Sequence, residues 1–214
     1  MALPKNKKEV ENRTERRFVA LPVEIEQREG DEESRTIIGY AAVFNKWSDP
    51  IYSWFREKID PAAFDNVLDQ DVVCLLNHDK NKVLGRNKVT LKLSVDKIGL
   101  RYELEAPNTT TGNDALEDIR LKNIVSSSFA FTTKRAEWAK NTDDSSIEED
   151  RTIMEVETLI DVSPVTFPAY PDATVDVAKR EYESFCTEHR AEDPPKEISH
   201  QTLEDELELL KYSE

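Results

Sequence analysis

The sequence predicts an α+β fold that is mainly β. Three observations carry this reading. Short apolar, β-branched runs recur between residues 35 and 166 and are separated by turn residues. Two of these runs alternate apolar and polar residues with a period of two. Only two stretches of the same region carry helix signals.

Residues 35–44 (RTIIGYAAVF) are apolar and β-branched enough for a buried strand. Asp60 and Pro61 then open a helix: aspartate suits the N-cap, proline suits the first helical position, and Phe64, Val67 and Leu68 fall on one face. Residues 71–76 (DVVCLL) form a short buried strand that runs into Asn77-His78-Asp79. Val89, Leu91, Leu93 and Val95 alternate with polar residues, as do Leu100, Tyr102 and Leu104, so the two runs form a hairpin about Asp96-Lys97-Ile98-Gly99. Residues 113–122 read as a helix with Leu116 and Ile119 on one face. Residues 125–133 (VSSSFAFTT) return to strand, with Phe129 and Phe131 pointing the same way. Residues 141–150 are a polar acidic loop, and residues 152–166 are strand again until Pro168 and Pro171 stop regular pairing.

The charge divides the chain. Its 214 residues carry 29 Lys+Arg and 44 Asp+Glu, a net −15. Residues 1–17 hold six basic and three acidic side chains, whereas residues 181–214 hold eleven acidic and three basic ones, a sum of −8. We therefore expect a basic arm at 1–16, a folded body at 17–178, and an acidic tail at 179–214. In that tail Leu203, Leu207 and Leu210 outline a short amphipathic helix, which suits either loose packing on the body or docking on a partner. No apolar run approaches the ~20 residues of a membrane span, and the basic start has no apolar stretch behind it, so no secretory leader is expected. Two cysteines make neither a disulfide framework nor a zinc site. The net acidity disfavours nonspecific nucleic-acid binding.

Nucleotide, zinc-peptidase and hydrolase-elbow motifs are absent, as are CxxC pairs and EF-hand spacing. Nucleophile chemistry remains. A serine hydroxyl needs a base, and the base needs a group that orients it. His78 is the one histidine of the expected body, since His189 and His200 lie in the tail. Ser126, Ser127 and Ser128 precede Phe129-Ala130-Phe131, and alternation puts Ser126 and Ser128 on one strand face. Asp161 is a carboxylate inside an apolar strand, costly to bury unless paired. On the residues alone each also suits a structural role: a packed histidine, an ordinary serine run, a turn-capping aspartate.

Taken in order, these segments resemble the prohead serine proteases of tailed bacteriophages, the capsid maturation proteases. Gly39-Tyr40-Ala41-Ala42-Val43-Phe44-Asn45 resembles the family's opening strand, and Ile59-Asp60-Pro61-Ala62-Ala63-Phe64 its helix start. Leu76-Asn77-His78-Asp79 followed by Leu84-Gly85-Arg86 resembles the histidine motif, and residues 96–100 the hairpin. Ser128-Phe129-Ala130-Phe131 resembles the nucleophile motif, and residues 161–170 (DVSPVTFPAY) the closing segment, where the family often has Glu in place of Asp161. The arm and tail lie outside the likeness.

The resemblance implies a fold similar to the herpesvirus assemblin proteases, a compact β-barrel with surrounding helices. It implies a Ser/His endopeptidase with Ser128 as nucleophile and His78 as general base. The orienting role passes to Asp161, with Glu157 as the fallback, because the body lacks a second histidine. Lys134 and Arg135 offer charge near the nucleophile strand. The implied partners are the major capsid protein with its scaffolding segment, the portal, and the chain itself by autocleavage. No cofactor, metal, nucleic acid or membrane enters. The implied setting is the immature prohead in the host cytoplasm. Two other readings stand beside it: an inactive internal scaffold component, and a Ser–Lys hydrolase with Lys134 or another lysine of the body as base.

Overall fold

The computed structural model describes residues 14–19, 21–26, 34–51, 55–143 and 147–167. All lie in the first of two units, Met1–Ala178 and Lys179–Glu214. The arm before residue 14, the prolines at 168 and 171 and the helix expected about Leu203, Leu207 and Leu210 fall outside the described residues.

Ten strands and one helix are described: β1 (Glu15–Val19), β2 (Glu24–Ile25), β3 (Thr36–Val43), β4 (Phe55–Ile59), β5 (Val73–Leu75), β6 (Val83–Arg86), β7 (Leu91–Val95), β8 (Gly99–Glu105), α1 (Thr110–Arg120), β9 (Ser126–Lys140) and β10 (Glu149–Val165). They make two sheets. The first runs β1-β9-β10-β5-β6, with β4 also paired to β10, and the second runs β2-β3-β8-β7. The fold is thus mainly β. The expected barrel ringed by helices is not what the described residues form. The edge strands β1 and β6 of the first sheet do not pair with each other, and α1 is the single α-helix among the described residues.

One apolar core joins the sheets. From the first come Phe129, Phe131, Leu159 and Val162, and from the second Ile37, Leu100, Tyr102 and Leu104. Phe129 stacks on Phe131 with centroids 4.7 Å apart, and Phe64 meets Phe129 edge-on at 5.7 Å. β9 is buried at every position from Ser126 to Thr133 and largely exposed beyond. The half of β9 that carries the serines is therefore held from both faces.

Several elements follow their sequence signals. β7 and β8 are an antiparallel hairpin. Asp96 Oδ1 accepts from the Ile98 and Gly99 amides at 2.7 and 3.1 Å, and a Cβ at Gly99 would run into the Ala42 carbonyl, so glycine is required there. α1 starts three residues before its expected position, because Thr109 caps it by accepting from the Gly112 amide. Lys122 closes it at φ 60°, and the Asn123 and Lys122 amides return to the Asp118 and Ile119 carbonyls at 2.8 and 3.1 Å. Val89 does not join β7. It is 78 % exposed in a turn that follows the left-handed Lys88.

The helix expected from Asp60 is replaced by successive turns through residues 61–69. Asp60 does accept from the Ala62 amide, as an N-cap would, but the bonds that follow are i to i+3. The cause is β10. β4 pairs along 149–153 of its free edge and β5 only at 161–162, which leaves a gap between. The turn segment fills the gap: the Asp60 amide donates to Ile153 O at 3.0 Å and the Ala63 carbonyl accepts from the Val156 amide at 2.9 Å. A carbonyl so engaged is drawn away from a helical partner. Gln70 completes the edge, donating to Glu157 O at 2.9 Å and accepting from the Leu159 amide at 3.0 Å. Gln70→Ala frees both backbone groups and is expected to cost about 1–2 kcal/mol in urea unfolding.

Candidate active site

β5 ends in a tight loop. The Leu76 amide donates to Lys82 O at 3.0 Å, and the Lys82 amide donates to Asp79 O at 2.8 Å. At its tip Asn77 and His78 both hold left-handed backbone, φ 53° and 58°, a strained pair for two non-glycine residues. Asn77 secures the pair. Its amide donates to Pro164 O at 3.1 Å, its Oδ1 accepts from the Thr166 amide at 2.8 Å, and its Nδ2 donates to Thr166 Oγ1 at 3.3 Å. The pairing of β5 with β10 thus continues through a side chain, and His78 is set against β10.

The three residues singled out from the sequence come together here. His78 Nδ1 lies 2.6 Å from Asp161 Oδ1, and His78 Nε2 lies 2.6 Å from Ser128 Oγ. Asp161 sits in the middle of the sheet, opposite Ala130 on β9 and Val73 on β5. The tautomer with Nδ1–H directed at Asp161 leaves Nε2 to accept from the serine hydroxyl. Ser163, two residues along the same strand face, donates to Asp161 Oδ1 at 2.7 Å and is fully buried. The sequence reading passed over Ser163, although a period of two from Asp161 points to it.

Alternation along β9 separates the serines. Ser127 turns to the core and bonds the Tyr102 hydroxyl at 2.9 Å, while Ser128 turns to His78. Ser128 Oγ also donates to Arg17 O of β1 at 2.9 Å. Glu157 is exposed on β10 and is not brought to His78. Lys134 and Arg135 stand on the exposed half of β9, paired with Glu155 and Glu137 at 2.6 and 2.7 Å. Burial, and then the charge of Asp161, push the Cys74 thiol well above its ordinary range, so it stays neutral and is no rival nucleophile.

A hydroxyl, an imidazole and a carboxylate in hydrogen-bonded series are the arrangement of the serine hydrolases. The family model of the caudovirus prohead serine proteases matches residues 22–188, well over half of the chain, and the chain belongs to that family. It is accordingly a hydrolase of phage capsid maturation, a serine protease whose surroundings are the capsid proteins of the prohead. No curated protein and no solved structure is found to match it.

Proposed function

We propose that the chain is a Ser/His endopeptidase that cuts the scaffolding region of the major capsid protein, and its own termini, inside the immature prohead in the host cytoplasm. The observation that carries the catalytic type is the continuous Asp161–His78–Ser128 series at 2.6 and 2.6 Å. Ser128 Oγ attacks the scissile carbonyl carbon as its proton passes to His78 Nε2. The tetrahedral intermediate collapses, His78 returns the proton to the leaving amine, and an acyl-enzyme remains. Water then attacks the ester, giving a proton to His78, and the carboxylate product leaves as Ser128 regains its hydrogen. Asp161 holds the ring and stabilises the imidazolium in both halves. A kinship of fold with the herpesvirus assemblins belongs to the same proposal and rests on the family resemblance.

The test is co-expression with a capsid protein that bears its scaffold segment, followed by mass spectrometry of the new termini. Fragments from both the scaffold segment and the protease are expected with the wild type, and none with Ser128→Ala. Intact capsid protein beside a folded wild type would overturn the substrate assignment.

Ser163 has a positioning role in this scheme. Ser163→Ala removes one charge-assisted donor from Asp161, so the carboxylate binds the ring less rigidly. A loss of about 10–100-fold in kcat is expected, with KM held and Ser163→Thr partly restoring activity. A role in folding alone would lower stability and leave kcat per folded molecule unchanged.

A further inference from the structure

Ser128 is fully buried, which is the wrong state for a group that must meet a polypeptide. β1 lies directly against it. That strand forms one end of the first sheet and, among the described strands, pairs with β9 alone, antiparallel, with Phe18 opposite Ser128 and Arg17 opposite Phe129. The Arg17 carbonyl takes a hydrogen bond from Ser128 Oγ. The hydroxyl has one proton and two acceptors, Arg17 O and His78 Nε2. While the proton is given to β1, it is not directed at the base.

An extended peptide that approached Ser128 along β9 would use the same sheet edge that β1 now occupies. β1 is also built to leave. Its inward residues Glu15 and Arg17 belong to a buried ionic cluster with Glu57 and Arg151. The two on β1 have opposite charges and depart as a neutral pair. Those left behind are in direct contact, Arg151 to Glu57 at 2.9 Å, so no lone charge remains in the core. On the site face the large apolar residue of β1, Phe18, is 42 % exposed and adds little apolar burial. β1 also precedes the segment that matches the family.

We propose that β1 is an internal stand-in for substrate, occupying the β9 edge on which an extended peptide pairs and giving way when such a peptide reaches Ser128. This rests on the catalytic reading of Ser128. Once β1 has left, His78 is the remaining described acceptor for the serine proton, so peptide entry and activation of the nucleophile occur together.

The test is a reversible tether in the full chain, Arg16→Cys with Ala130→Cys. These residues are paired directly across β1 and β9, while Cys74, paired with Val162, which pairs on its other side with Phe129, belongs to the core. A fluorophosphonate probe then reports the reactivity of Ser128. Labelling at least ten-fold slower in the oxidised variant than in the same variant reduced is expected, with wild type indifferent to the oxidant. Equal rates in the two forms would overturn the stand-in role. Wild-type labelling that persists in Ser128→Ala would instead refute the catalytic reading itself. An independent measurement needs no disulfide: hydrogen exchange on adding an extended peptidyl phosphonate. Residues 15–19 should lose protection while 127–131 keep theirs. Retained protection across β1 in the inhibited enzyme would sink the proposal.

Discussion

Ser128→Ala and His78→Ala are each expected to lower capsid-peptide cleavage by roughly 10⁴-fold or more, and the double variant is expected to be no worse than either alone. The reason lies in the geometry. Nε2 is 2.6 Å from Oγ, so every proton transfer of the base serves that hydroxyl or the ester it forms, and the base has no work once the hydroxyl is gone. Asp161→Asn should fall slightly short of these losses, by roughly 10³–10⁴-fold, because an amide can present its NH₂ to Nδ1 and favour the wrong tautomer. Glu157→Gln should have no effect, since its side chain is exposed and the ring bonds Asp161, Ser128 and Ser163 instead. Single-turnover rates on a capsid-derived peptide decide the matter. Activity that survived His78→Ala but not Ser128→Ala would favour a lysine base. Lys134 is poorly placed for that, being held by Glu155.

How much of this could be read from the sequence depended on what each strand turns inward. β7 and β8 turn apolar residues inward at alternate positions, and that pattern announces them, as the continuous apolar run announces β3. β4 has the same period, Phe55-Arg56-Glu57-Lys58-Ile59, yet its central inward residue is a glutamate. β1 likewise turns Glu15 inward. A charge at an inward position erases the period-two signal, and only the partner on a distant strand, Arg151, explains why burial is tolerated. Glu15 and Arg16, counted from the sequence with the basic arm, are therefore part of the sheet. The site was more legible than the fold. His78, Ser128 and Asp161 each ended or interrupted an apolar strand, which made them candidates, although on the residues alone each also suited a structural role and the family resemblance was needed to set them in series. The strained Asn77–His78 turn, the Arg17 carbonyl and Ser163 left no such mark. Backbone groups carry no sequence identity, and one more serine in a strand is unremarked until the register is known.

The cluster behind β1 gives the largest expected effect on stability. Arg151 is fully buried and donates to Glu15 Oε2 at 2.8 Å, to Glu57 Oε2 at 2.9 Å and to Thr133 Oγ1 at 3.2 Å. Arg17 joins it, donating to Glu15 Oε2 at 2.7 Å and bonding Glu57 through both Nε and Nη2. Arg151→Met leaves two buried carboxylates facing one partly exposed arginine. A loss of about 3–5 kcal/mol at neutral pH is expected in chemical unfolding. The pH dependence separates charge from packing. Burial by itself raises the Glu15 pKa, but the charges of Arg151 and Arg17 outweigh it and bring the carboxyl from 4.5 down to about 2. A folded pKa below the unfolded one contributes stability that is complete above about 4.5 and is lost as pH falls toward 2. The wild type should therefore weaken steadily across that window. In Arg151→Met the Glu15 carboxyl loses the larger of the two charges that lower its pKa, so the gap between variant and wild type should narrow as the pH falls. A gap that stayed constant from pH 7 to 3 would mean that Arg151 holds the four strands together by its volume rather than by its charge.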